Sequence, residues 1–333
     1  VIGRDGRRYG PLPATWAKFR GLYRYEDQVV LRYTVGDTEV LERDCLLGGG
    51  REPVFTRILN LGARSKPLDM SVMVVDDDAK LSTVGELATI ATGTSNVTVG
   101  RPGLEDSTQL RIEDGRVVLR FPSGRKSIKG TVWFTRKDLD DDARKSIASD
   151  LDRKERDLQL LTKGGPAQYG TPIEVPAQQW FDSEAWAVDE LVRPDGNPWL
   201  ARTRITGLDF YPGGDSLAAC TWDGDVSRVD GLRSLGQPDC LLRWRRIATG
   251  LFQPLGILVE KDRLMVTCRD QLVALRDANQ DGEMDDYRCF NSDHQVTEHF
   301  HEFAMGLQSA GDGSYYYAKS ARHALKAVVP HHG

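Results

Sequence analysis

The chain has 333 residues, 40% hydrophobic and 28% charged, with a net charge of −5. That length exceeds one ordinary core and predicts two domains. The acidic balance gives a nucleic-acid partner no electrostatic support, and no apolar run approaches the roughly 20 residues of a membrane span. Five cysteines (Cys45, Cys220, Cys240, Cys268, Cys289) are scattered without CxxC or CxxCH, so neither a zinc ribbon nor covalent haem has a motif. The chain opens on Val and stops at "AVVPHHG". Both ends are read as cuts in a longer protein, so the lack of a signal peptide says little about location.

Residues 1–135 predict a β-sandwich-like domain. A short helix is expected at "ATWAKF" (14–19). Then come short β-branched and aromatic runs: 28–36, 53–61, 68–75, 116–124 and 129–135. "QLRIEDGRVVLRF" reads as a hairpin turning at Asp114-Gly115. Residues 136–169 form a charged helical linker, with Leu and Ile at roughly helical intervals before the stop "TKGGP".

Residues 170–333 repeat. The stretches at 205–232, 254–279 and 301–321 each hold a glycine-marked strand, a tight turn and a small-residue or aromatic strand. A period of about 45–50 residues with an internal meander predicts propeller blades, about three of them here. Closure of the ring would need further blades. The fold class is therefore all-β: a sandwich-like domain, a charged helical linker and the first blades of a β-propeller.

"DANQDGEMDDY" sets Asp277, Asn279, Asp281, Gly282 and Asp285 at loop positions 1, 3, 5, 6 and 9. Alternate oxygens converge on one side of such a turn, and glycine at 6 permits the bend, which points to calcium. Position 12 is Arg288 rather than an acid. Asp285 or Asp286 would have to supply the missing carboxylate, and the competing reading is a solvated acidic hairpin tip. If calcium binds, its role is structural.

All six histidines (His294, His299, His301, His323, His331, His332) lie in the last forty residues. Three readings stand for the cluster at 294–301. His299 and His301 with His294 or Glu298 would suit a transition metal. A single histidine at a propeller mouth would suit a general base. Satisfied structural histidines are the third reading.

The segments "RITGLDFYPGGDSLAACTWDGDV", "LFQPLGILVEKDRLMVTCRDQLVALRDANQDGEMDDY" and "DHQVTEHFHEFAMGLQSAGDGSYYYAKS" resemble the propeller of large bacterial envelope proteins. Those are commonly labelled membrane-bound dehydrogenases or haem-binding proteins. "GPLPATWAKFRGLYRYEDQVVLRYTVGDTEVLE" resembles the β-rich domain that precedes that propeller. The propeller is in turn distantly similar to soluble quinoprotein glucose/sorbosone dehydrogenases, which implies six blades and pyrroloquinoline quinone. The resemblance makes His301, which precedes "MGLQSAGDGSYYY", the catalytic base. It places Lys319 and Arg322 near the quinone. It implies a sugar or alcohol substrate, electron transfer to a c-type haem or cytochrome c domain outside this chain, and a periplasmic or secreted location. The alternative is a non-catalytic propeller binding glycans or partner proteins, with "SYYYAK" (314–319) as its exposed aromatics. The fragment alone is expected to be inactive in either case.

Overall fold

The computed structural model describes residues 12–13, 15–47, 53–93, 96–104, 108–136, 147, 149–151, 157–183, 186–294, 296, 302–319 and 326–328, with backbone alone at 178–189 and 326–328. The chain forms two compact units that divide between Lys163 and Gly164.

The first unit contains β1 (Ala17–Tyr25), β2 (Gln28–Val35), β3 (Thr38–Leu47), β4 (Val54–Leu61), β5 (Leu68–Val74), β6 (Lys80–Val84), β7 (Leu87–Ala91), β8 (Asn96–Gly100), β9 (Gln109–Glu113), β10 (Arg116–Phe121) and β11 (Ile128–Thr135). Its larger sheet runs β1-β2-β3-β4-β11-β8-β7-β6, and a smaller sheet runs β5-β10-β9. Period-2 alternation builds the layers. In β7, Ala88 and Ile90 are buried while their neighbours are half-exposed. Val40, Leu59, Leu61, Ile90, Val97, Val99 and Val132 of the larger sheet meet Val117, Leu119 and Phe121 of β10 in one core. This is the expected sandwich. Asp114 and Gly115, both at positive φ, turn the β9–β10 hairpin.

The helix expected at 14–19 does not form over its described second half. Residues from Ala17 onward are strand β1, paired antiparallel with β2 from Ala17↔Val35 to Tyr25↔Gln28. A six-residue helix is far below the length at which helices hold alone, so cross-strand pairing prevails. Strands β3, β6, β7 and β8 were not expected. The acidic and basic residues of β3 disguise it: Glu42 is buried, accepting hydrogen bonds from the Tyr33 hydroxyl (2.5 Å) and Arg57 Nε (2.6 Å).

Of the charged segment after β11, Ile147, Leu151, Leu158 and Leu161 are buried against the first unit. Ile147 and Leu151, one helical turn apart, pack with Leu47, Val54 and Trp133. Leu158 and Leu161 pack with Val30, Leu41 and Ile58, the face of the larger sheet opposite the sandwich core. Residues 160–163 form a short 3-10 turn. Residues 137–146 and 152–156 of this segment lie outside the described residues.

The second unit contains β12 (Ile173–Pro176), β13 (Gln178–Ser183), β14 (Trp186–Glu190), β15 (Ile205–Phe210), β16 (Ser216–Thr221), β17 (Val226–Asp230), β18 (Leu241–Ala248), β19 (Gly256–Val259), β20 (Leu264–Thr267), β21 (Leu272–Arg276), β22 (Asp286–Asn291), β23 (Ala304–Ser309), β24 (Tyr315–Lys319) and β25 (Lys326–Val328). β15 to β18 form an antiparallel meander with β12 added outside β18. β19 to β22 form a second meander, and β23 to β25 a third of three strands. β13 and β14 make a separate hairpin.

The first strands of the three meanders lie side by side, β15 beside β19 and β19 beside β23. That is blade packing, and glycine makes it close. A Cβ on Gly207 would sit 3.2 Å from Gly256 Cα, and one on Gly256 would sit 2.8 Å from Leu307 N. β16 (SLAACT) is buried at every position. Small residues let it pack on both faces. Across the joint, Thr206 Oγ1 donates to Pro254 O at 2.6 Å and Val259 N donates to Asp209 Oδ2 at 2.7 Å. The cysteines are free thiols, and burial pushes the Cys220 thiol up to about 11.

Candidate metal centre and propeller rim

The loop between β21 and β22 is shaped by its own acids. Asp277 Oδ1 accepts the backbone N–H of Gln280 (2.6 Å) and Asp281 (3.2 Å), and Oδ2 accepts that of Gly282 (2.8 Å). Asp281 Oδ1 accepts Glu283 N at 2.9 Å. These turns need positive φ at Gln280 and Gly282 (64° and 94°). Glycine is the residue for the second. A Cβ there would also meet Arg245 Nη1 at 2.6 Å.

The folding of the loop brings one oxygen each from Asp277, Asp281 and Asp285 within 4.8 Å of one another. Asn279 lies beside them, its Nδ2 donating to Asp281 Oδ2 (3.1 Å) and to Gly165 O (2.6 Å). Asp285 is buried, accepting Gly165 N (3.3 Å) and Ala278 N (3.2 Å). Burial, with the nearby Asp281 and Asp277 charges, pushes its carboxyl up to about 6. An all-oxygen donor set of this kind fits a hard divalent cation. Asp286 pairs instead with Arg288 at 3.0 Å, leaving Asp285 as the acid that faces the loop. The side chain of Glu283 is committed elsewhere, accepting Gln168 N (2.8 Å) and Tyr169 N (2.7 Å).

The loop also ties segments together. Met284 N donates to Ile247 O at 2.8 Å, joining it to the outer strand of the preceding blade. Gly165, Gln168 and Tyr169 tie it to the entry segment.

At the other end of the blades, the 222–225, 249–255 and 268–271 connections converge with residues 292–294 and 302–303. Here the rings of Trp222 and Phe303 meet edge-on with centroids 5.0 Å apart. The Arg269 guanidinium lies 5.5 Å from the Phe252 centroid and 5.6 Å from that of Phe303. Arg204, paired with Asp223 at 2.6 Å, covers Trp222. Phe252 is exposed and Trp222 and Phe303 are half-buried.

Beneath this rim His294 is buried. Its Nε2 faces Arg269 O at 2.9 Å and its Nδ1 faces the Tyr317 hydroxyl at 2.7 Å. A carbonyl only accepts, so Nε2 carries the proton and Nδ1 accepts from tyrosine. His294 is thus a satisfied structural histidine. Lys319, at the end of β24, is buried too, its Nζ 3.5 Å from Arg269 O. Asp270, in the same connection, is raised above the ordinary carboxylate range by burial, with Lys319 acting in the opposite direction. Its buried Oδ1 has no hydrogen-bond partner among the described residues. Sequence reasoning missed Arg269 and Asp270. The only signal was their place in the Arg-Asp turn between two blade strands.

His301 and Arg322 lie outside the described residues, as do His299, His323, His331 and His332. Of the expected quinone-site residues, Lys319 alone is placed. The aromatics expected from "SYYYAK" divide: Tyr315 and Tyr317 are buried between the second and third blades, and Tyr316 is exposed. Strand alternation forces that division.

A family model described as a domain of unknown function, DUF6797, matches residues 3–42. No curated protein matches the chain. Solved structures that match include the β-propeller domain of Cps50 (Swd1) from Myceliophteria thermophila. It is 12% identical, with a TM-score of 0.25 over 95% of this chain and 84% of that one. A superposition that loose carries no argument, so the propeller architecture rests on the strand pairing and blade packing described above.

Proposed function

We propose that this chain forms the opening blades of a calcium-stapled propeller that serves as a binding scaffold, with glycans as its ligand class. The observation that carries the reading is the rim of Trp222, Phe252, Phe303 and Arg269. Aromatic faces set among guanidinium donors suit sugar rings, which present apolar C–H faces and hydroxyl acceptors together. Calcium at Asp277, Asn279, Asp281 and Asp285 would relieve the carboxylate repulsion and lock the loop onto the neighbouring blade and entry segment. The test is a glycan-array screen of the chain with calcium present, repeated with Trp222→Ala. Sugar binding by the parent and its loss in a folded variant supports the reading. A parent that binds no glycan on the array refutes it.

A second reading is favoured by Lys319 and Arg269 sharing one rim with the partnerless Asp270 oxygen. In it the propeller belongs to a quinoprotein-like sugar or alcohol dehydrogenase of the bacterial envelope. Pyrroloquinoline quinone would supply hydride acceptance, with Lys319 and Arg322 facing its carboxylates and His301 taking the substrate proton. Electrons would leave to a c-type haem outside this chain. Quinone titration of the longer protein, parent against Lys319→Met, decides it: no saturable binding by the parent ends the reading.

A further inference from the structure

Between the outer strands of the first two blades, at the end opposite the rim, lies a cavity of about 690 Å³. Its walls carry Arg228, Arg245, Lys261 and Arg263 against Asp230, Glu260, Asp262 and Asp277. Most of these charges are already matched. Arg228, stacked 4.8 Å from the Tyr211 centroid, pairs with Asp230 at 2.8 Å. Arg263 pairs with Glu260 at 2.7 Å, and Asp262 with Arg276 at 3.2 Å. Asp277 is turned into its own loop, accepting the backbone N–H groups of residues 280–282.

Two cations remain. Among the described residues, Arg245 and Lys261 have neither an ion pair nor a side-chain hydrogen bond. Arg245 is half-buried on β18, its guanidinium held against Gly282, where a side chain at that position would displace it. Arg245 lines an open cavity with no protein acceptor for its guanidinium among the described residues, so an anion entering from solution can complete a charge-assisted pair there. The acids on the cavity wall are held by other groups, which leaves Arg245 and Lys261 open to an anion from solution.

We propose that this cavity binds a small organic anion, a carboxylate or phosphate group docking between Arg245 and Lys261. Lys261, exposed at the turn between β19 and β20, lines the same cavity and can steer such a group to it. The site is independent of the glycan rim and does not require it.

The experiment is calorimetric titration of the calcium-free chain with three probes: D-glucuronate, its neutral methyl ester and inorganic phosphate. Saturable binding of glucuronate or phosphate, with the ester at least about tenfold weaker than glucuronate, is the expected result. Arg245→Gln should weaken the anions about tenfold or more, and Lys261→Gln by a smaller factor with a loss of salt dependence. Lys261 is exposed, so its variant keeps the test open should Arg245→Gln fold poorly. No binding of either anion by the parent overturns the proposal. So does binding that neither variant changes.

Discussion

Asp285 offers the sharpest test of the loop. Its folded carboxyl is raised from 3.8 to about 6, first by burial and then by Asp281 and Asp277. A raised carboxyl binds its proton more tightly folded than unfolded. In chelator, its contribution is therefore most favourable below about pH 4 and is lost as pH rises through 6. The full shift corresponds to about 3 kcal/mol. Water at the open side of the loop screens part of this, leaving about 1–2 kcal/mol. Comparing denaturant midpoints of the parent and Asp285→Asn from pH 4 to 7.5 in EDTA isolates the contribution. The parent should lose stability relative to the variant as pH rises. With calcium at the proposed site the order should reverse, because the cation would stabilise only the carboxylate form. A difference profile that is flat in EDTA, or that runs the other way, would refute the electrostatic account of this loop.

Gly256→Ala should cost about 1–3 kcal/mol, because its Cβ would meet the Leu307 backbone across the blade joint; thermal unfolding reads it as a lower Tm. Gly224→Ala should cost more, since φ is 104° there and the new Cβ would lie 2.3 Å from Leu251 O; a melting point equal to the parent's would contradict the turn geometry. Tyr317→Phe removes the hydroxyl that His294 Nδ1 faces at 2.7 Å and should cost about 1–3 kcal/mol by chemical denaturation.

The blade repeat was legible because its signals are local. Glycine-marked strands, Pro-Gly-Gly and Trp-Asp-Gly turns and a regular period each report one backbone requirement, and strands beginning at 205, 256 and 304 meet the expectation. The grouping of Asp277, Asp281 and Asp285 was legible for the same reason: the three are close in sequence. Sequence spacing left Asp285 and Asp286 as alternatives, because the choice depends on which side of β22 faces the loop. The entry helix misled because "ATWAKF" carries helix-tolerant residues, whereas its backbone found a partner strand in Gln28–Val35.

By itself, then, the sequence determined the all-β class and the meander unit, both properties of short windows of chain. The tertiary structure alone decided that β3 is a strand with a buried glutamate and that His294 is sealed between Arg269 and Tyr317. It also decided that Arg245, beside Gly282, has no ion-pair partner among the described residues. Each of those outcomes depends on which distant groups share a space, and hydrogen-bond satisfaction and burial are settled only there.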